Sequence, residues 1–300
     1  MSCYHPIPCW KPRDLSEYNP DTGKARMVFN VNQGFPGSQL MVPCGHCIGC
    51  RLDRSLSWAV RCIHEGKMNS ENCFITLTYS PENVPENGSL NKRDIQLFMK
   101  RLRKKYRDKK IRYFQCGEYG GQLGRPHHHV ILFGHNFTDR KHFSSRGKIK
   151  LYLSQELSDL WPHGMHTIGE LTLESAAYTA AYILKKVFGK KAPEHYGDKI
   201  PEFITMSRRP GIGQAFYDRY KSDLYTTDQA IITDTKRTRV PKYYDKLFDL
   251  QHPARLQALK SIRKTRAKAN PDNHPLRLAI REQIKQIQQE KKQRCYETFT

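Results

Sequence analysis

The chain has 300 residues, with 51 lysines and arginines against 29 aspartates and glutamates, and so a formal net charge of +22 at pH 7. This excess favours a polyanionic partner such as nucleic acid. The longest strictly apolar run, from Val130 to Phe133, is far too short to cross a membrane. Since the N-terminus has no apolar signal-peptide core, we also expect a protein that is not secreted.

The first predicted domain, residues 1–65, is rich in proline, glycine and cysteine and shows little periodicity. Such a lobe needs an internal staple. Cys44, Cys47 and Cys50 are spaced as thiolate ligands, and a closed tetrahedral zinc site needs one more ligand. We predict that Cys3 is this fourth ligand, and the alternatives are Cys9, His5 and His46. An iron–sulfur cluster or reduced thiols without metal are the other interpretations.

The second predicted domain, residues 66–223, has a mixed pattern of strands and helices. A helix over 55–64 precedes it. Periodicity then predicts strands at 74–79, 111–117 and 127–133, an extended segment at 165–171, and helices at 92–106, 151–160 and 175–188. We therefore expect an α+β fold in which helices cover one side of a central antiparallel sheet.

Residues 92–112 hold 11 lysines and arginines and only two aspartates. Such a run is often just a solvated helix face, but beside an active-site strand it favours contact with DNA phosphates. The candidate DNA-binding residues are Lys92, Arg93, Lys100, Arg101, Arg103, Lys104, Arg125, Lys186, Arg208 and Arg209.

The segment from Arg125 to Gly134 contains three consecutive histidines. On a strand, His127 and His129 share one face and His128 points to the other. Two imidazoles on a rigid strand favour a divalent metal site, and Glu118, at the end of the preceding predicted strand, is the natural third ligand if the two strands form a hairpin. The alternative is a chance polar strand end.

Tyr178 and Tyr182 are four residues apart in the predicted helix 175–188, with Lys185 on nearly the same stripe. Tyrosines at this spacing are usually packing residues. A phenol next to a lysine can also act as a nucleophile, because the cation stabilises the phenolate.

The third predicted domain, residues 224–300, is a basic helical extension. Residues 251–300 hold 12 lysines and arginines against four acidic residues, and helical patches break at Pro271 and Pro275. A solvated helix pair is an equally good interpretation of this segment. The sequence has no GxxxxGK[ST] motif, so no built-in ATPase is expected.

Three motifs follow one another along the chain: Phe74-Ile75-Thr76-Leu77-Thr78-Tyr79, Pro126-His127-His128-His129 and Tyr178-x-x-x-Tyr182-x-x-Lys185. Taken together and in this order, they resemble the HUH endonuclease superfamily, and within it the replication initiators of gokushovirus-type microviruses. The N-terminal Cys3-Tyr4-His5-Pro6 and the segment from Cys44 to Arg51 are also typical of this branch. One departure is His128, since the family usually has an apolar or aromatic residue between its two ligand histidines.

The resemblance implies an RRM-like, ferredoxin-type sheet and a two-tyrosine DNA nickase. His127, His129 and Glu118 would bind Mg²⁺ or Mn²⁺, and Tyr178 and Tyr182 would alternate as nucleophiles with Lys185 beside them. The implied substrate is single-stranded DNA at the viral origin, in the cytoplasm of a bacterial host whose helicase and polymerase take part, with no nucleotide cofactor. A transposase or relaxase with the same chemistry, or a non-catalytic RRM-like binding module, is the alternative.

Overall fold

The computed structural model describes residues 3–20, 23–121 and 123–291, with the backbone alone at Arg146 and Ile183. Its strands are β1 (Ile7–Cys9), β2 (Leu40–Val42), β3 (Asn72–Thr78), β4 (Arg112–Tyr119), β5 (Pro126–Phe133), β6 (Lys141–Arg146), β7 (Ile149–Leu153), β8 (His166–Gly169), β9 (Phe203–Met206), β10 (Ala230–Ile231) and β11 (Arg237–Thr238). Its helices are α1 (Ile48–Gly66), α2 (Lys92–Lys105), α3 (Gln155–Leu160), α4 (Leu173–Ala180), α5 (Tyr182–Lys185), α6 (Ala192–Tyr196), α7 (Gln214–Thr227), α8 (Lys242–Gln251), α9 (Pro253–Ala269) and α10 (Pro275–Glu290).

The described residues form two compact units. Among the described residues, the cysteine unit comprises those up to Asp53 together with those from Ile262 to Lys291, and the sheet unit is Arg54–Ser261. The three-domain division at 65/66 and 223/224 stays a prediction. None of the described helices has the length and apolar character needed to cross a membrane.

The sheet unit is built on seven antiparallel strands in the order β6-β7-β8-β3-β5-β4-β9. The α+β class is therefore confirmed, and so is the predicted hairpin between the strand that ends near Glu118 and the histidine strand. β5 is an interior strand, paired with β3 on one side and with β4 on the other. Because successive residues of a strand point to opposite faces, this pairing decides which side chains can meet.

Helices cover both faces of the sheet, so the expected single helical layer is wrong. On one face, Ile75, Val130 and Leu132 pack against α2 and α3 in a buried cluster. On the other, Phe74 and Ile131 pack against α1 and α4. We call the second face the site face, because it also carries His127 and His129. A single layer would leave half of a sheet this apolar in contact with water.

α2 forms as its periodicity predicts. Ile95, Phe98, Met99 and Leu102 are buried along one side, at spacings of three and four residues. The Asn91 side chain caps the helix by accepting a hydrogen bond from the Arg93 backbone N–H at 2.9 Å. The basic side chains on the opposite stripe are mostly exposed.

α4 lies close to the site face because its inward residues are small. Ala176 and Ala180 are fully buried against the sheet, and Ala59 of α1 packs in the same cluster. A capping box fixes where α4 begins, with Thr172 and Ser175 each bonding the backbone N–H of the other.

Two predicted helices are corrected. Residues 151–153 end strand β7, where Leu151 is buried and Tyr152 pairs with Ile168 of β8, and the helix begins only after Ser154 caps it. The predicted helix 175–188 is interrupted at Ala181, and the chain leaves helical geometry at Lys186 (φ −59°, ψ 125°). The tyrosine motif is thus divided between α4 and α5.

The cysteine unit contains the small β1–β2 pair, the first residues of α1, the last part of α9 and α10. His5 Nε2 lies 2.5 Å from a carboxylate oxygen of Glu282 on α10, so the two ends of the described chain meet in this unit. The predicted break near Pro271 and Pro275 is confirmed, since it separates α9 from α10. Residues 292–300, with Cys295, lie outside the described residues.

His64 of α1 provides a pH-dependent contribution to the stability of the sheet unit. Burial lowers its pKa from 6.5 to about 4, and its ring nitrogens lie 3.1 Å from the Tyr244 hydroxyl and 3.0 Å from the Ile231 carbonyl. The folded chain therefore binds fewer protons than the unfolded chain between about pH 4 and 6.5, and its stability falls as the pH drops through that range.

We expect acidification to destabilise the wild type more than His64→Gln, which does not titrate. The pKa shift corresponds to about 3 kcal/mol of unfolding free energy lost between neutral pH and about pH 4. Urea unfolding at several pH values measures this difference, with His195→Gln at an exposed position as the control. Equal losses in wild type and His64→Gln would show that His64 is not the group responsible.

Candidate active site

The pairing of β4 with β5 brings three of the predicted ligands together on the site face. Glu118 lies directly opposite His127, and Cys116 lies opposite His129. Glu118 Oε1 is 3.3 Å from Nε2 of His127 and 3.3 Å from Nε2 of His129. All three side chains are almost completely buried. We call Glu118, His127 and His129 the triad.

Hydrogen bonds to the other ring nitrogens orient both imidazoles. His127 Nδ1 donates to the Arg125 carbonyl at 3.1 Å, which directs Nε2 toward Glu118. His129 Nδ1 lies 3.0 Å from the Thr76 hydroxyl on the neighbouring strand β3. Such partners fix the ring that a metal ion binds.

The triad fits a divalent cation. His129 Nε2 is buried and, among the described residues, makes no hydrogen bond of good geometry, although the Glu118 carboxylate is 3.3 Å away. His127 Nε2 faces the same carboxylate oxygen, also at 3.3 Å. A shared cation stabilises both arrangements, and two imidazoles with one carboxylate form a common set of ligands that leaves further coordination positions open.

The protonation states of Glu118 and His129 suit a metal ligand set. Burial alone would raise the pKa of Glu118, but the two neighbouring imidazoles outweigh it and hold that pKa well below its usual value. Burial lowers the pKa of His129 to about 4. At neutral pH the carboxylate is therefore ionised and the His129 ring is neutral.

Tyr178 and Lys185 reach the same carboxylate oxygen. The Lys185 amino group donates to Glu118 Oε1 at 3.0 Å and to the Tyr119 carbonyl at 3.2 Å. The Tyr178 hydroxyl donates to Glu118 Oε1 at 3.5 Å, and its ring meets the His129 ring edge to face at 4.8 Å. Tyr178 is only partly buried.

Tyr182 is placed differently. It is 8% exposed and packs against Cys116, in a small cluster with Leu184 and Ile204. Because Cys116 precedes Glu118 by two residues on β4, Tyr182 lies on the site face as well. Burial raises the pKa of its hydroxyl.

His128 belongs to a separate network on the opposite face of the sheet. Its Nε2 lies 3.2 Å from the Tyr79 hydroxyl, which donates to Asp94 of α2 at 2.9 Å. Burial lowers the pKa of His128 to about 3. The alternation of side chains along β5 therefore separates His128 from the other two histidines, as predicted from the sequence.

The predicted DNA-binding residues do not form one surface. α2 packs on the face opposite the triad, so its basic residues are not beside the site as the sequence led us to expect. Arg101 and Arg103 donate to the backbone carbonyls of Leu160 and Ile111. The exposed members on α2 are Lys92, Arg93, Lys100, Arg103 and Lys104.

The other predicted basic residues lie at both ends of the sheet. Arg125, directly before β5, donates to the Tyr79 carbonyl at 2.7 Å, and Lys186, after α5, donates to the Glu202 carbonyl at 3.0 Å. Arg208 and Arg209 are exposed after β9, near the start of β4 and thus at the end away from Glu118.

Thr76, which orients His129, is a site residue that the sequence motifs did not identify. The signal was present, because a threonine in the middle of a strongly apolar strand is a polar group that needs a buried partner. The partner became identifiable only through the register of β3 with β5, in which Thr76 lies opposite His129.

Comparisons with known proteins cover the same region. A family model described as replication-associated protein ORF2 matches residues 72–187, a range that includes the triad, both tyrosines and Lys185. The chain is 39% identical over 222 residues to the replication-associated protein ORF2 of Spiroplasma virus 4, covering 69% of this chain and 68% of that protein.

Two further phage proteins are similar. The replication-associated protein VP4 of Bdellovibrio phage phiMH2K is 32% identical over 219 residues, covering 70% of this chain and 68% of that protein. The replication-associated protein ORF4 of Chlamydia phage 1 is 31% identical over 217 residues, covering 69% and 53%. No solved structure matches the chain.

Proposed function

This chain belongs to the replication-associated protein ORF2 family, and on that premise we propose that it initiates rolling-circle replication as a metal-dependent nickase and strand-joining enzyme for single-stranded DNA. One observation carries the proposal. The phenol of Tyr178 and the ammonium of Lys185 both donate to the carboxylate oxygen that the two imidazoles of the triad approach.

The triad would hold Mg²⁺ or Mn²⁺, and such an ion, when bound, would polarise the scissile phosphate. Mg²⁺ prefers oxygen ligands, so the pair of imidazoles suits Mn²⁺ at least as well. The Arg125 carbonyl and Thr76 keep the two rings in the orientation that this role requires.

Tyr178 is the nucleophile of the first cleavage in this proposal. It is partly exposed and lies at the triad, whereas Tyr182 is packed against Cys116. A phenol is a weak nucleophile near its ordinary pKa of about 10. Lys185 shares the Glu118 oxygen with Tyr178, and its positive charge stabilises the phenolate as the proton leaves.

In the cleavage step, the Tyr178 oxygen forms a bond to phosphorus, and the bond from phosphorus to the 3′-oxygen breaks. The leaving 3′-oxygen gains the equivalent of the proton that the phenol loses. The products are a 5′-phosphotyrosine and a free 3′-hydroxyl. One phosphodiester replaces another, so the 3′-hydroxyl can later attack the phosphotyrosine and close a strand without ATP.

Tyr182 would cleave the regenerated origin in the second half of the cycle. Its ring must first leave the packing against Cys116 and Leu184. The interruption at Ala181 allows this, because α5 is a single short turn that is not continuous with α4. We propose that this turn moves to exchange the two nucleophiles.

The partners follow from the same chemistry. The sequence carries no phosphate-binding ATPase motif, so a host helicase would unwind the duplex and a host DNA polymerase would extend the 3′-hydroxyl, in the cytoplasm of the bacterial host. The net charge of +22 supports binding to a DNA strand. Arg125 and Lys186, next to β5 and α5, are the basic residues that we expect nearest to the scissile phosphate.

The direct test is formation of a covalent adduct. The purified full chain is incubated with Mn²⁺ and single-stranded oligonucleotides that tile the viral genome, and denaturing gels reveal any protein that carries DNA. We expect an adduct on oligonucleotides containing the origin and none when EDTA is present. Binding without an adduct across the whole set would favour a non-catalytic module, and adducts only on transposon or plasmid transfer sequences would favour a transposase or relaxase.

A further inference from the structure

We propose that Cys3, Cys44, Cys47 and Cys50 bind one structural zinc ion in the cysteine unit. The four Sγ atoms all lie within 4.8 Å of one another, and those of Cys3 and Cys47 are 3.9 Å apart. Ideal tetrahedral coordination at a Zn–S distance of about 2.3 Å places the sulfurs roughly 3.8 Å apart. A disulfide would need about 2.05 Å, and all four cysteines are free thiols in the structure.

Backbone N–H groups point at three of these four sulfurs. Cys3 Sγ accepts from Cys44 N–H at 3.2 Å, Cys44 Sγ from Cys47 N–H at 3.3 Å, and Cys47 Sγ from Tyr4 N–H at 3.4 Å. Hydrogen bonds of this kind stabilise the negative charge of thiolates and fix their direction, as outer partners do around a metal.

Gly45 allows the close turn between Cys44 and Cys47. Its φ of +83° lies in the left-handed region, where a side chain would be strained. Cys50 then lies in the first turn of α1, so the three ligands of the C-x2-C-x2-C motif converge within seven residues.

The structure selects one fourth ligand from the alternatives. Among the described residues, the group in this unit that could hold a metal ion consists of the four sulfurs alone, without His5, His46 or Cys9. His5 instead lies 2.5 Å from Glu282. Four protein ligands leave no open position, which is typical of a structural ion rather than a catalytic one.

The proposed ion has a defined mechanical role. It links Cys3 to the start of α1, and two residues after Cys3 the chain reaches α10, where His5 contacts Glu282. β1 and β2 have only three residues each, so the unit has little sheet of its own. Metal ligation can supply the folding energy that such a small core lacks. We infer that the ion holds the N-terminal segment on which α10 docks.

Metal analysis of the full chain tests the proposal. After dialysis against EDTA, we expect about one zinc per chain by mass spectrometry, and less than about a tenth of that in Cys44→Ser. Cys9→Ser keeps its zinc, since Cys9 lies in the same unit but outside the group. The double variant His127→Ala/His129→Ala also keeps its zinc, which separates this site from the triad and from the proposed nickase activity.

Cobalt substitution of the wild type decides the matter even if Cys44→Ser fails to fold. We expect the intense visible bands of a tetrahedral Co²⁺ ion with thiolate charge transfer, and faster proteolysis within α10 once the metal is removed. Loss of zinc from Cys9→Ser would make Cys9 a ligand and overturn the assignment. Wild-type protein that holds no metal, holds iron with sulfide, or gives an octahedral cobalt spectrum would overturn the proposal.

Discussion

Replacing both Tyr178 and Tyr182 with phenylalanine is expected to abolish the covalent protein–DNA adduct, because both proposed nucleophiles are then removed. Each single variant should retain some cleavage. The cleavage rate should fall further in Tyr178→Phe than in Tyr182→Phe, by at least about a hundredfold, since the loss of a nucleophile is among the most damaging changes in an enzyme. The structure explains the asymmetry: Tyr178 contacts Glu118, whereas Tyr182 is packed against Cys116.

The measurement is single-turnover cleavage of a labelled origin oligonucleotide, followed by mapping of the DNA-linked peptide. Tyr220→Phe is a useful control, because Tyr220 is partly buried in the core around α7 and α8, away from the triad. Full cleavage by the double variant would refute both tyrosines as nucleophiles. A linked peptide found only at Tyr182 in the wild type would reverse the proposed order.

His129→Ala should remove cleavage almost entirely, by more than the roughly hundredfold that the loss of a mere outer partner of a metal ligand can cause. Its affinity for single-stranded DNA should stay within about threefold of wild type, because phosphate contacts from surface lysines and arginines supply most of the binding. Mn²⁺ binding, followed by electron paramagnetic resonance, should weaken in parallel with cleavage.

The chain offers a matched control one residue away. His128 lies on the same strand but faces Tyr79 on the other side of the sheet, so His128→Asn should keep Mn²⁺ binding and most of the cleavage. Unfolding measurements on both variants exclude a general loss of structure. If His129→Ala lost DNA affinity as severely as cleavage, the histidine would have a structural role instead.

The triad could be predicted because its placement depends only on residues that are close together in the sequence. Alternation along β5 and one short connection to β4 are enough to place His127, His129 and Glu118 on one face. The role of Thr76 could not be predicted in the same way, since it depends on the pairing of β3 with a residue that comes 53 positions later. Long-range register is set by the packing of the whole sheet, which the local pattern does not contain.

The structure or position of several other elements could not be predicted for the same reason. The hairpin of β6 and β7 lies in a polar stretch with few β-branched residues, and pairing with β8 decides its structure. The predicted helix 175–188 is interrupted at Ala181, although no glycine or proline at that point of the sequence indicates a break. Basic helix α2 was predicted correctly as a helix, but periodicity says nothing about which face of the sheet a helix covers.

The pairing of His5 with Glu282 joins residues that are 277 positions apart. A ribosome that adds about 5–20 residues per second needs at least about ten seconds to make the chain between them. The sheet unit lies entirely within that interval and can fold before α10 has been made to contact His5. A shortened chain that lacks either the N-terminal or the C-terminal part of the cysteine unit would therefore leave the other part without its packing partner, even though every candidate catalytic residue was present.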